Sequence, residues 1–391
     1  MLTIYVHIPY CLVKCGYCDF HSLPTSRAEI PQQNYAQAIS AQLEHALNHY
    51  QLRGRELGAI FFGGGTPSLM EASFFSDVLS SLQQSFVFAN DIEITTEMNP
   101  ATAKLPWLKQ VRACGVNRLS IGIQSFQPQL LKFLDRDHTA KDIHHVMLDA
   151  KAAGFENYSC DLIFAIPEQT TADLKNDIMT ALSFKPKHIS AYQLTFEVGT
   201  PLTKSYKCAN LNLPAKLSEE DSLEQFILVE QLLESGGLSR YEISNFSKPG
   251  FESKHNLNYW SYGEYLGLGS GAVSFLYQPQ RDLDSQDNVF GKRWTTTRNV
   301  AHYLKSDFSE KSPDKITLKT AMAEFCFLGL RKTAGFSLQS FEQQFARKFG
   351  DVYSEIIKEL TAQGLLIMQE DRVTLSKQGL LLSDAIFRKF V

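Results

Sequence analysis

Three cysteines stand within eight residues, in Cys11-Leu-Val-Lys-Cys15-Gly-Tyr-Cys18. Thiolates are soft metal ligands, and this C-x3-C-x2-C spacing puts three of them on one short loop. Each can take one iron of a cubane, which leaves the fourth iron without a protein sulfur and open to a cofactor or substrate. A structural zinc site is the main alternative. It normally takes four ligands, and no fourth cysteine or histidine falls at finger spacing. His21 is the nearest candidate, on a loop whose Asp19-Phe20 ending resembles no known knuckle. A redox pair of Cys15 and Cys18 would leave Cys11 without a part. A 4Fe–4S cluster on Cys11, Cys15 and Cys18 accounts for all three. Cys114, Cys160, Cys208 and Cys326 are scattered, and an odd total of seven argues for a reducing compartment over a disulfide framework.

An open iron is useful only if neighbouring elements hold what binds to it. The cysteine loop follows a strand over residues 2–8, and strands and helices then alternate. Apolar strands are predicted at 57–62, 92–96, 118–123, 159–166 and 188–195, with helices at 32–50, 72–82, 105–114, 128–134, 141–153 and 171–183. Six such strands predict an α/β fold, a parallel sheet covered by helices. A doubly wound sheet and an incomplete barrel meet this periodicity equally well.

Either fold collects its functional groups at the C-terminal strand ends. Gly63-Gly64-Gly65-Thr66-Pro67 follows the second strand. Glycine there lets a backbone approach a ligand closely, although a triple glycine alone more often marks a tight turn. Glu97 closes the third strand, Gln124 closes the fourth, Asp161 opens the fifth, and Arg136 lies in the Asp135-Arg-Asp137 turn. A polar group near a buried strand end is costly unless it is paired or functional. Taken singly, each of these is as readily a satisfied structural group.

After residue 195 the rhythm changes to a long helix at 218–235, an aromatic and glycine-rich stretch at 241–277, and a polar loop at 278–288. Helices at 338–349 and 352–363, a hairpin at 365–375 and a final helix outline a small winged-helix unit. A boundary is expected between a domain of residues 1–285 and one of 286–391. With no basic stripe, a net charge of −4 and a pI near 6.2, that unit reads as a packing domain, and no nucleic-acid partner is expected. His144 and His145 read as surface residues of a helix. No apolar run approaches the roughly 20 residues that span a bilayer, and a strand stands where a signal peptide would, so a cytoplasmic location is expected.

C-x3-C-x-aromatic-C after a first strand resembles the signature of the radical S-adenosylmethionine superfamily. The longer string Tyr5-Val-His-Ile-Pro-Tyr-Cys11 is similar to one branch, the oxygen-independent coproporphyrinogen dehydrogenases of HemN type and the related HemW heme chaperones. The resemblance implies a partial (β/α)6 barrel with a smaller, mainly helical, winged-helix-like C-terminal domain. It implies S-adenosylmethionine chelating the open iron through its amino and carboxylate groups, with one-electron cleavage of the sulfonium. Cofactor contacts carry over to Gly64, Gly65, Thr66, Glu97, Gln124, Arg136 and Asp161, with Tyr5 and Tyr17 flanking the cluster. As residues alone, both tyrosines serve equally well as packing aromatics.

Two features separate the branches. The dehydrogenases resemble C-x3-C-x2-C-x-C, and Phe20 stands at that last position here. His255-Asn-Leu-Asn-Tyr-Trp260 matches H-N-x-x-Y-W, which the resemblance associates with heme binding. Imidazole is a standard axial ligand of heme iron, and Tyr259 and Trp260 suit a porphyrin face. Without the motif, a lone histidine among aromatics is more readily a hydrogen-bonded structural residue. The resemblance therefore implies a heme chaperone that passes heme to acceptor proteins, membrane-associated respiratory proteins among them, and takes electrons from a donor. The alternative is an enzyme, an oxygen-independent coproporphyrinogen III dehydrogenase. No proton-transfer residue is assigned. One departure stands out: the string Gly267 to Ser274 is similar to a family glycine motif that usually has histidine where Val273 stands.

Overall fold

Every second residue of the first strand, β1 (Leu2–Ile8), is removed from water: Leu2, Ile4, Val6 and Ile8 are 0% exposed. They enter a large apolar core lying between the sheet and its helices. The computed structural model, which describes residues 1–208, 213–279, 288–306, 308 and 310–391, repeats this arrangement strand by strand. Five more strands follow: β2 (Glu56–Gly64), β3 (Val87–Met98), β4 (Arg118–Gln124), β5 (Tyr158–Phe164) and β6 (His188–Gln193). Each pairs in parallel with the one before it. Strand order follows chain order without reversal, which decides for the partial (β/α)6 barrel over a doubly wound sheet.

Helices α1 (Gln32–Tyr50), α2 (Ala72–Ser85), α3 (Leu105–Ala113), α4 (Ala140–Ala152) and α5 (Thr171–Ser183) connect the strands. Capping boxes, Thr139 with Asp142 and Thr170 with Asp173, start α4 and α5 where the chain turns back onto the sheet. The alternate strand residues face inward and, Phe61 of β2 aside, are largely polar. They include Tyr5, His7, Glu93, Glu97, Arg118, Ser159, Asp161 and His188. The apolar packing therefore lies outside the barrel, and the interior is left for chemistry. β3 begins at Val87, earlier than its apolar run, because Val87 and Phe88 pair with Glu56 and Leu57 ahead of a register shift. β5 starts at Tyr158, so Asp161 stands mid-strand, opposite Gly122 and Ser190, and does not open it.

Beyond β6 the sheet adds two short antiparallel strands, Ser239–Glu242 and Asn245–Ser247, after helix α6 (Glu219–Ser235). A short helix, α7 (Lys254–Trp260), then leads to β7 (Tyr265–Leu268), which pairs in parallel with the free edge of β1. Antiparallel strands β8 (Val273–Tyr277), β9 (Val289–Thr296) and β10 (Glu310–Thr317) complete a twelve-stranded sheet. The expected boundary at 285/286 lies outside the described residues, as does most of the expected loop; β9 and β10, beyond it, still belong to the large sheet.

Helix α8 (Leu318–Gly329) opens the C-terminal unit. Strand Phe336–Ser337, helices Leu338–Phe345 and Ser354–Ala362, and the hairpin Leu366–Gln369 with Arg372–Leu375 follow, in winged-helix order. The helix predicted over 338–349 stops at Phe345 because Ala346 turns left-handed at φ 51°. Phe325, Phe336, Phe341 and Phe345 fill this unit and share one core with Tyr262 and Phe275 of the barrel side. Among the described residues no helix is long and apolar enough to cross a membrane.

Candidate functional site

β1 delivers the chain to Cys11, and the loop doubles back so that Tyr10–Cys11 pairs with Leu23–Pro24. The end of β2 clamps this loop. Gly65 N donates to Ile8 O and Thr66 N to Tyr10 O, both at 2.7 Å, and Thr66 Oγ1 lies 3.4 Å from Cys11 Sγ. A Cβ on Gly65 would stand 2.6 Å from Tyr10 O and 3.0 Å from Cys11 Sγ. Gly64 has φ +108°, and a Cβ there would meet the His7 ring at 2.5 Å. The triple glycine thus seats the cysteine loop.

Cys11 and Cys15 are buried and Cys18 is partly so. Burial pushes the thiol of Cys11 up and that of Cys18 up to about 11, and each is raised further by its neighbouring cysteines. Cys11 and Cys18 thus resist ionising, which is the condition that bound metal reverses. Among the described residues no three His, Cys, Asp or Glu side chains converge on a point that suits a single ion. A cubane asks less, because it presents a separate iron to each thiolate. The donor set fits such a cluster.

Arg136 reaches the loop from the β4 side. Its Nη1 lies 3.6 Å from Cys15 Sγ and its Nη2 donates to Gly122 O at 2.9 Å. Tyr17 lies beside it, and burial pushes that phenol well above its ordinary range. A Cβ on Gly122 would meet Gln124 Nε2 at 3.1 Å and Arg136 Nη2 at 3.4 Å, so the two side chains flank one gap. Gln124 and Asp135 hold left-handed backbone, φ 67° and 52°, a strain of roughly 1–3 kcal/mol each of the kind that collects at ligand sites.

Across from them Glu97 Oε2 accepts from Gly64 N at 3.0 Å. Burial, then the nearby Asp161 charge, pushes Glu97 up to about 8. Asp161 accepts from Ser120 Oγ at 2.6 Å and Ser159 Oγ at 2.8 Å. A buried carboxyl raised by a neighbouring carboxylate favours a cationic ligand beside it, as a sulfonium or ammonium would be. Gly64, Gly65, Thr66, Glu97, Gln124, Arg136, Asp161 and Tyr17 therefore gather around the three cysteines.

His255 is elsewhere. α7 reaches Thr3 near the start of β1 and Glu93 midway along β3. Asn258 Nδ2 donates to Thr3 Oγ1 at 3.0 Å. Ser253, the N-cap, accepts from Asn256 N at 3.3 Å. Ser253 Oγ and His255 N lie 3.5 and 3.4 Å from Glu93 Oε1, and Glu93 forms a buried ion pair with Arg118 at 3.7 Å. The His255 ring points into the barrel, 4.9 Å from Phe61 and 6.0 Å from Tyr5, centroid to centroid. It is 3% exposed, its Nδ1 has no hydrogen-bond partner, and burial pushes it down to about 3. The imidazole is neutral, the form that ligates iron.

Tyr5 stands between the two regions. Its ring stacks on His255 below, and its hydroxyl lies 3.1 Å from His7 Nδ1 above. His7 Nε2 in turn lies 2.7 Å from His21 O, within the cysteine loop. His7, Glu93, Arg118 and the chain Ser159–His188–Tyr241, with links of 2.8 Å, escaped the sequence reading. The period of two from Tyr5 to His7 was the available signal for the first of these. His21 itself packs on the glycine motif, its Nε2 3.4 Å from Ser270 Oγ. A Cβ on Gly269 (φ +109°) would lie 2.4 Å from His7 O, so that motif lets β7 close on β1. Val273 pairs with Thr295 between β8 and β9.

Residues 5–181 match the model of the Radical SAM superfamily, and residues 316–382 match the HemN C-terminal domain. The solved coproporphyrinogen III oxidase (HemN) of Escherichia coli superposes with a TM-score of 0.80 over 100% of this chain and 89% of that one, at 22% identity. Fold and cysteine loop together define a radical S-adenosylmethionine barrel with a HemN-type C-terminal unit. The chain is 34% identical to the heme chaperone HemW of Bacillus subtilis over 397 residues, covering 100% of this chain and 99% of that one. It is 34% identical to HemW of Escherichia coli over 80% of this chain and 78% of that one. The chain belongs to the HemW family.

Proposed function

We propose that this chain is a heme chaperone. It holds a 4Fe–4S cluster on Cys11, Cys15 and Cys18, binds S-adenosylmethionine at the open iron, carries heme on His255, and hands heme to acceptor proteins from the cytoplasm. The observation that supports this most is likeness to HemW chaperones from end to end at 34% identity, against 22% to the coproporphyrinogen oxidase. Phe20, 61% exposed, adds to it by standing where the dehydrogenase branch has a cysteine.

When bound, cluster and sulfonium supply one-electron chemistry. The protein's part is to hold them. Gly64, Gly65 and Thr66 offer backbone and hydroxyl to the methionine portion. Glu97 and Asp161 face its positive charge, and Gln124 and Arg136 close the other side. Arg136 and Tyr17 cover Cys15, which keeps water from the cluster. His255 offers a neutral nitrogen at the far end of the barrel.

The test is anaerobic. Reconstituted protein mixed with coproporphyrinogen III, S-adenosylmethionine and reductant is expected to leave the porphyrinogen unchanged, and to bind hemin. His255→Ala should weaken hemin about tenfold or more and remove the histidine-ligated Soret band. Formation of protoporphyrinogen would overturn the chaperone reading.

A further inference from the structure

One line of polar groups runs away from Asp161. Register sets it: Ser159 of β5 pairs with His188 of β6, and Asp161 lies two residues on, on the same inward face. Asp161 Oδ1 accepts from Ser159 Oγ at 2.8 Å. Ser159 Oγ lies 2.8 Å from His188 Nδ1, and His188 Nε2 lies 2.8 Å from the Tyr241 hydroxyl. That hydroxyl accepts from Ser253 N, the N-cap of α7, at 3.2 Å.

The termini of this line fix the protons between them. A backbone N–H only donates, so the Tyr241 oxygen takes the Ser253 bond and its own proton is free for His188. Ser159 has a single proton, which goes to the Asp161 carboxylate, so its oxygen has to accept from His188. Ser190 Oγ, 3.2 Å away, suits as a second donor to the same oxygen. His188 is 1% exposed, and burial, then the nearby Arg118 charge, holds it well below its ordinary range. The ring is therefore neutral and carries one N–H. That proton belongs on Nδ1. A proton on Nε2 would turn Nδ1 into an acceptor, draw the Ser159 proton away from Asp161, and leave a carboxylate oxygen short of a donor.

Resting on the reading of Asp161 as a cofactor contact, we propose that His188 is a positioning residue of the S-adenosylmethionine site: its Nδ1–H orients Ser159, and Ser159 fixes the Asp161 carboxylate. Ser120 Oγ holds the other carboxylate oxygen at 2.6 Å. The carboxylate is thus oriented before the cofactor arrives, and less ordering is lost on binding. Tyr241, held by Ser253, sets the tautomer from behind.

Amide substitutions separate the two ring nitrogens. His188→Asn places an N–H where Nδ1 stands, and His188→Gln places its amide where Nε2 stands. Cluster-reconstituted full-length protein is titrated anaerobically with S-adenosylmethionine by calorimetry, with iron and sulfide content checked in each variant. Asp161→Asn should weaken binding about tenfold, His188→Gln about fivefold, and His188→Asn less than about twofold. A packing role would follow side-chain volume and favour His188→Gln over His188→Asn. Selective 15N labelling of histidine, with the His188 signals identified by their loss in either variant, should show the proton on Nδ1 in the oxidised, cluster-loaded wild type. Should one amide variant fail to fold, the other and the tautomer decide. Wild-type affinity in His188→Gln, equal loss in both amide variants, or a proton on Nε2 overturns the assignment of His188 while Asp161 stands. If Asp161→Asn binds the cofactor as wild type does, the reading of Asp161 falls and the role of His188 with it.

Discussion

The two ends of the barrel solve opposite problems. At the cysteine end the chain leaves charge unbalanced and backbone strained: Glu97 faces Asp161, and Gln124 and Asp135 hold left-handed conformations. At the α7 end charge is matched and hidden. Glu93 pairs with Arg118, His255 is neutral, and rings of Phe61, Tyr5 and Tyr259 surround it. An end awaiting a charged cofactor has to stay incomplete until the cofactor arrives. On the proposed reading the α7 end takes heme, and it has to hide its apolar surface until then.

The largest expected effect isolates the first end. Cys15→Ser should reduce bound iron and sulfide to near zero, because the proposed ligand set is the three thiolates of Cys11, Cys15 and Cys18. Hemin affinity should stay within about twofold, since His255 shares no hydrogen bond with that loop. Loss of hemin binding together with iron would show that the two ends are one site. Arg118→Leu probes the other end. It strands the Glu93 carboxylate in a closed site and should cost about 3–5 kcal/mol of stability by chemical denaturation, with cluster content kept.

Opposite pH responses sharpen the contrast. Glu97 is pushed from 4.5 up to about 8, so the folded state keeps a proton that the unfolded chain releases. Stability of cluster-free protein should fall from this group as pH rises from 4.5 to 8, and Glu97→Gln should flatten that slope. S-adenosylmethionine should bind about tenfold more weakly to the variant. His255 is pushed from 6.5 down to about 3, so the unfolded chain takes the proton first. Its contribution is present above pH 6.5 and is lost as pH falls toward 3; His255→Phe should remove part of the acid sensitivity. Melting curves across pH 4 to 9 check both signs.

The cysteine end was legible in the sequence because its parts are local. Cys11, Cys15 and Cys18 share one loop, and Gly64, Glu97 and Gln124 each close a strand that periodicity located. The α7 end was legible only as a six-residue string. Its partners Glu93, Arg118 and Thr3 stand on strands more than 130 residues away, and no local pattern joins them to Ser253, His255 and Asn258. Register set their meeting. The return of β9 and β10 to the sheet was not legible for the same reason: antiparallel additions at an edge depend on which strand is free, and β1 was free only because the barrel is incomplete.

Tyr5 carries the smallest effect and the sharpest question. Its ring belongs to one end and its hydroxyl to the other, 6.0 Å from the His255 centroid and 3.1 Å from His7 Nδ1. Tyr5→Phe keeps the ring and deletes the hydrogen bond. Such a deletion typically costs about 1 kcal/mol, and His7, still held at 2.7 Å by His21 O, keeps its other partner. If the ends act independently, hemin affinity should not move beyond about twofold, while S-adenosylmethionine weakens less than about fivefold through the loosened cysteine loop. A larger change in hemin affinity, measured with the cofactor present and absent, would place the connection between cofactor and cargo in that single hydroxyl.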